Sequence, residues 1–171
     1  MIYRDATAAD LPAMVAIYAH HVLTGTGTFE EVPPDAAEMA ARMSRVQGQG
    51  WGWLVAEDEG EVKGYGYYAQ IRDRSAYRCS AEDSIYVRDD VRGQGVGKGL
   101  VAALLQHAEG TGFRQMFAVI GDSENVGSIG LHLSLGFRQV GVLRAAGVKF
   151  GRWLDVVYMQ RAIGVGDRAP A

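Results

Sequence analysis

The sequence has a single cysteine, Cys79, in 171 residues. No internal disulfide can form, and the four histidines do not stand with it at zinc-ligand spacing. Basic residues are not in excess. Seventeen Lys and Arg against twenty Asp and Glu leave a formal net charge of −3, which offers no electrostatic reason to expect a nucleic-acid partner. No apolar run approaches the roughly 20 residues of a membrane span. The opening Ile2-Tyr3-Arg4-Asp5 leads into folded-looking sequence rather than the apolar core of a secretory signal. These absences point to a cytoplasmic protein with no metal, membrane or nucleic acid in its work. What is present, 48% apolar and 22% charged residues, suits a soluble globular chain. A chain of this length buries about two thirds of its unfolded surface without a covalent staple.

Periodicity predicts one α/β domain over residues 1–163 and a polar, flexible tail over 164–171. After a short strand at 2–5, Leu11, Met14, Val15, Tyr18 and Val22 fall on one helical face, with Asp10 as the expected N-cap. Thr24-Gly25-Thr26-Gly27-Thr28-Phe29-Glu30-Glu31 is a loop of unusual composition, and a second helix is expected over 35–46. From Trp51 the pattern turns to strands: 53–56, then 62–71 across an Asp58-Glu59-Gly60-Glu61 turn, then 78–88. In the last strand Cys79, Ala81, Ile85 and Val87 share one face, with Asp83 a polar misfit among them. Ser80, Glu82, Ser84 and Tyr86 share the other face. Leu100, Val101, Leu104, Leu105 and Ala108 mark a third helix, and 116–120 reads as a strand buried on both faces. Asn125 opens a short helix that ends at Gly136, and strands near 138–143 and 154–161 finish the domain.

The most informative segment joins the strand at 78–88 to the third helix through Arg92-Gly93-Gln94-Gly95-Val96-Gly97-Lys98. Glycines let a backbone approach a ligand closely, and the N–H groups at a helix start favour phosphate. A Walker loop ending at Lys98 would need Gly at 92 and Ser or Thr at 99, where this chain has Arg92 and Gly99. A dinucleotide fingerprint fails as well, because Lys98 and Leu100 occupy the places of its third glycine. What fits is R-x-x-G-x-G after Ile85-Tyr86-Val87.

That segment resembles the pyrophosphate-binding motif of the GNAT superfamily of N-acetyltransferases. Asn125, Ser128-Ile129 and Leu135-Gly136-Phe137 resemble the superfamily's next motif at the expected distance. Leu54-Val55-Ala56-Glu57, Ala118-Val119-Ile120-Gly121, Leu143 to Lys149, and Gly151-Arg152-Trp153-Leu154-Asp155 are similar to the phosphinothricin acetyltransferase group within it. The resemblance implies a GNAT-type α/β (α+β) fold. Its sheet would be mixed and mostly antiparallel, of six to seven strands with helices on both faces, splayed at an acetyl-CoA cleft. It also implies acetyl-CoA as co-substrate, a small amino-acid-like amine as acceptor (phosphinothricin, methionine sulfoximine or methionine sulfone type) and a homodimer.

The same resemblance assigns roles. Glu82 would be the base that frees the acceptor amine, which is mostly protonated at neutral pH. The Val87 N–H would be the oxyanion donor, and Ile85, Tyr86 and Val87 would pair with the pantetheine arm as an added strand does. Arg92, Gly93, Gln94, Gly95, Val96, Gly97 and Lys98 would hold the pyrophosphate, and Asn125 and Ser128 other parts of the donor. His132 occupies the place of a tyrosine general acid in many members, although the phosphinothricin group also carries histidine there. It reads equally as a partly buried histidine hydrogen-bonded in a helix. Arg72, Asp73 and Arg74 form a charged loop whose guanidiniums suit a carboxylate or phosphinate, and Phe29 and Glu30 would close over the acceptor. Lys149 and Trp153 are open to a place in the pocket or in a dimer seam. Cys79 is expected in the core, and His20, His21 and His107 receive no role. Two alternatives stay open: an acetyltransferase for a peptide N-terminus, lysine or polyamine, and a non-catalytic acetyl-CoA sensor.

Overall fold

The turn at Glu59-Gly60 takes positive φ at both residues, 52° and 78°, the geometry that matches the twist of the strands it joins. It links β2 (Trp53–Asp58) to β3 (Glu61–Gln70) in a computed structural model that describes residues 1–169. With β1 (Ile2–Asp5), β4 (Ser80–Val87), β5 (Gln115–Gly121), β6 (Arg138–Lys149) and β7 (Arg152–Ala162) they form one seven-stranded sheet. Its order is β1-β2-β3-β4-β5-β7-β6, antiparallel except where β4 meets β5.

Each face of the sheet carries two helices and its own core. Trp53 and Val55 of β2 point to one side, where α1 (Leu11–Thr24) and α2 (Ala36–Gly48) cover them with Met14, Val22 and Met39. Leu54 and Ala56 point to the other, where α3 (Val96–Glu109) brings Leu100 and Leu104 onto Met116 and Ala118 of β5. The shorter α4 (Val126–Ser134) contacts α3, β5 and β6. Asp35 caps α2 by accepting the Glu38 N–H at 2.8 Å.

Several details differ from the sequence expectation. Asp10 stands at the N-cap of α1 as expected, but its side chain makes no capping hydrogen bond to the helix. Its carboxylate accepts the Thr7 N–H at 2.7 Å and takes the two-pronged fork of Arg4 at 2.8 Å, because a 3-10 turn carries it back toward β1. The C-terminal hairpin is longer than its apolar pattern suggests, since register shifts at Gln139/Gly141 and Leu143/Gly147 break the alternation. Where a tail is expected, Gly164 to Arg168 fold into hydrogen-bonded turns, and Arg114 donates to the Gly166 carbonyl at 3.2 Å. The last two residues of that tail lie outside the described residues. Among the described residues, no helix is long and apolar enough to cross a membrane.

Candidate active site

The site begins where two strands part. β4 and β5 pair only from Ser80↔Gln115 to Asp83↔Ala118, after which β5 continues along β7 alone. The Arg88 N–H donates to Lys63 O at 2.9 Å, so even-numbered residues at this end of β4 turn their backbone groups toward β3. By the same alternation Ile85 and Val87 turn theirs toward the gap. A cleft of about 730 Å³ opens there, lined by Ile85, Tyr86, Val87, the turn before α3, the start of α4, and Gly25, Thr26 and Gly27.

The turn before α3 is built for an anion. Gly93 and Gly95 take φ of 76° and 85°, which only glycine adopts without strain, and the first residues of α3, whose N–H groups have no partner within the helix, line the cleft. Arg92 is exposed and pairs with Asp89 at 3.0 Å, within reach of the same opening. Gly93, Gly95, Val96, Gly97 and Lys98 line the cleft. Gln94 turns away, its amide donating to Asp90 O at 3.4 Å.

Asn125 caps α4, accepting the Ser128 N–H at 3.2 Å, and both residues line the cleft. One turn on, His132 is 3% exposed. Its Nδ1 lies 2.8 Å from the Ser128 carbonyl and its Nε2 lies 3.3 Å from Oδ1 of Asp83. Burial pushes the ring toward neutrality; the Asp83 carboxylate and the Ser128 carbonyl more than reverse this and raise its pKa above the usual value. Asp83, the polar misfit of the sequence, is therefore the partner of His132, and both line the cleft.

Glu82 stands on the opposite face of β4. Burial raises its carboxyl to about 7, with Arg72 opposing and Asp83 adding to the shift. Tyr67, stacked on Trp53 at 4.1 Å, stands opposite Ser84 in the β3–β4 register and feels both Glu82 and Glu30. Residues far apart in sequence thus converge around one tyrosine. Arg72, Asp73 and Arg74 are all exposed on the loop; Arg72, whose guanidinium donates to the Ile71 carbonyl at 2.7 Å, is the one that reaches Glu82 electrostatically.

The Thr/Gly loop is held rather than loose. Lys149, only 1% exposed, donates from Nζ to Gly25 O and Thr28 O at 2.8 Å each, so it lies beneath the loop and not in an outer seam. Glu30 pairs with Arg42 at 2.7 Å and accepts from the Tyr18 hydroxyl at 3.0 Å. Phe29 lies against Gly147 and Gly121, in space that a Cβ at either glycine would invade.

Two side chains gain a place that the sequence did not signal. His21 lines the cleft with Nε2 2.8 Å from Val87 O, and burial holds its pKa below the usual value, so the neutral ring donates Nε2–H to that carbonyl. His107 shares a 2.7 Å hydrogen bond with the Tyr68 hydroxyl. Helical spacing puts both on α1 and α3 without saying what they face. Cys79 is half-buried rather than a core residue.

A parted parallel strand pair, a glycine turn suited to an anion and a half-buried glutamate beside them define an acetyl-CoA-dependent N-acetyltransferase. The chain belongs to the Acetyltransferase (GNAT) family, whose profile matches residues 14–137. It is 54% identical over 158 residues to phosphinothricin N-acetyltransferase of Alcaligenes faecalis, covering 92% of this chain and 80% of that protein. Over 168 residues it is 44% identical to the L-methionine sulfoximine/L-methionine sulfone acetyltransferase of Pseudomonas aeruginosa, covering 98% of this chain and 97% of that protein. The crystal structure of a phosphinothricin acetyltransferase from Sinorhizobium meliloti in complex with acetyl-CoA superposes with a TM-score of 0.96 at 47% identity, covering 99% of this chain and 91% of that one.

Proposed function

We propose that the chain transfers the acetyl group of acetyl-CoA to the amine of a small, anionic, amino-acid-like acceptor of the phosphinothricin, methionine sulfoximine or methionine sulfone type. The observation that carries this reading is the placement of Glu82, half-buried and raised to about 7, on the strand that opens the donor cleft, within the electrostatic reach of Arg72. The named activities of the relatives in Alcaligenes and Pseudomonas support the acceptor class.

In this mechanism the donor's pyrophosphate sits on the Arg92–Lys98 turn, and its pantetheine arm runs along Ile85–Val87 as an added strand. Asn125 and Ser128 flank it. The acceptor enters from the Glu82 face, its acidic group toward Arg72 and its body beneath the Phe29–Glu30 loop. Glu82, directly or through a water, accepts the proton of the acceptor's ammonium. The freed nitrogen attacks the thioester carbonyl carbon in a ternary complex, and the Val87 N–H takes the charge that develops on oxygen. The C–N bond forms and the C–S bond breaks, the nitrogen gives up its second proton to solvent as the amide forms, and His132 protonates the departing thiolate. A carboxyl raised to about 7 is matched to this work, because it is half ionised near working pH and still a strong enough base.

The apolar outer end of the molecule supports a homodimer. Val148 and Trp153 are cross-strand neighbours in the β6–β7 hairpin. They are 53% and 71% exposed, next to Phe150 at 53%. An exposed aromatic cluster on a long edge hairpin is a surface that a second copy would cover.

The test is release of CoA thiol from acetyl-CoA with a panel of phosphinothricin, methionine sulfoximine, methionine sulfone, glutamate, spermidine and a short peptide. Turnover confined to the first three acceptors is the expected result. Turnover only with peptide or spermidine would move the acceptor assignment, and binding of acetyl-CoA without any turnover would make the protein a sensor.

A further inference from the structure

Asp83 is a buried carboxyl with no task in the mechanism above. Its side chain is 3% exposed, and its Oδ2 has no hydrogen-bond partner among the described residues. An orphaned carboxylate oxygen in an apolar setting is costly, and this one lines the donor cleft.

The hydrogen bonds of His132 fix where its protons lie. The Ser128 carbonyl only accepts, so Nδ1, 2.8 Å away, must carry a hydrogen. The remaining ring nitrogen, Nε2, faces Oδ1 of Asp83 at 3.3 Å. Two lone pairs would repel at that contact, so a second proton belongs there, on the ring or on the carboxyl. From α4 the ring meets only that carbonyl, and Phe137 presents an uncharged ring edge-on at 4.9 Å. Asp83, reaching over from β4, is the charged group that acts on it.

We propose that the acid serving the leaving thiolate is an Asp83–His132 pair, in which Asp83 is a positioning residue that aims the ring and retains its second proton. The inference rests on the reading of His132 as general acid. In the step itself the sulfur gains the Nε2 proton as an S–H bond. The pair is left as a neutral imidazole facing a carboxylate, one charge more negative, and regains its proton from solvent. Glu82 and Asp83 are then consecutive residues that serve opposite proton tasks on opposite faces of one strand. A pair that merely packs α4 onto the sheet is the alternative.

The experiment combines ¹⁵N NMR titration of the His132 ring with pH profiles of kcat, using acetyl-CoA and phosphinothricin. In the wild type the ring should titrate above 6.5, the usual value for histidine, and kcat should fall on an alkaline limb at the same pH. D83N should lower the ring's titration and that limb together by about one pH unit or more. It should reduce kcat at pH 8 by about tenfold, with KM for acetyl-CoA nearly unchanged. The limb set by Glu82 should also move slightly downward, since Asp83 contributes to its raised value. D83E, which restores a carboxylate, should recover part of the alkaline limb. A wild-type ring titrating at or below 6.5 overturns the proposal without any variant. So does a D83N protein that loses thermal stability while both pH limbs stay in place. Separately, an H132N variant that keeps the alkaline limb overturns the acid role of His132 itself, and the D83N ring titration still reports whether the pair exists.

Discussion

Glu82 and Asp83 are adjacent on β4, yet their carboxyl groups lie on opposite sides of the sheet. Glu82 shares its side with Arg72 and Tyr67, and Asp83 lies 3.3 Å from Nε2 of His132 on the other. The strand's two-residue repeat alone separates them. If Glu82 is the base, E82Q should lower kcat by roughly a hundredfold or more while KM for acetyl-CoA stays within a small factor. In the wild type kcat should rise with pH through about 7, the value to which burial lifts this carboxyl. Steady-state rates from pH 5.5 to 9 check both, and unchanged turnover in E82Q would end the assignment.

The same substitution should stabilise the fold in alkali. An unfolded chain releases the Glu82 proton near 4.5, whereas the folded protein holds it to about 7. Folding therefore takes up a proton between those values, and stability declines as pH rises through that window. Glutamine does not ionise. E82Q should exceed the parent by on the order of 2 kcal/mol at pH 8 and match it below pH 4.5, a difference that paired thermal melts will read.

Arg92 tests the donor site. It is exposed and shared with Asp89, so if it holds the pyrophosphate that contact should be worth less than a buried pair. R92A should raise KM for acetyl-CoA by several-fold to about tenfold, leave kcat nearly intact, and flatten the dependence of KM on salt. Initial rates at two ionic strengths decide it.

Gly147 makes room for the Phe29 ring. G147A should displace that ring and loosen the loop that Lys149 clamps, at a cost of about 1–3 kcal/mol, and it should raise KM for the acceptor more than for acetyl-CoA. Removing the ring relieves the clash, so G147A should cost much less in an F29A background. A double-mutant cycle on melting temperature and acceptor KM measures that coupling.

Trp153 tests the dimer. At 71% exposed and beside Val148, it should be buried by a second copy. Sedimentation equilibrium should return twice the chain mass for the wild type, and W153E should shift the population toward monomer. A monomeric wild type at micromolar concentration would refute the dimer.

Much of the fold was legible because local rules and tertiary packing agree. The β2–β3 hairpin follows from a Glu-Gly pair able to take positive φ, and α3 from its apolar stripe and the glycines before it. Much of the donor cleft was legible because that part comes from one continuous segment, 85–98, plus the start of one helix; the side formed by His21 and Gly25 to Gly27 was not. On the other face of β4 the sequence named residues but not their meeting. Glu30, Tyr67, Arg72 and Glu82 lie on four segments, and only the β3–β4 register and the folded loop bring them within electrostatic reach of one another.

The sequence by itself determined the domain class, the two faces of β4 and the anion-binding turn, because each depends on spacing within a few residues. Tertiary structure alone decided that Asp83 meets His132 across 49 residues and that Lys149 clamps the Thr/Gly loop across more than 120. It also decided that His21 donates to Val87. The physical reason is shared by all three. A buried polar group must find a partner, and which partner is available is set by where strands part and helices land rather than by neighbours in the chain.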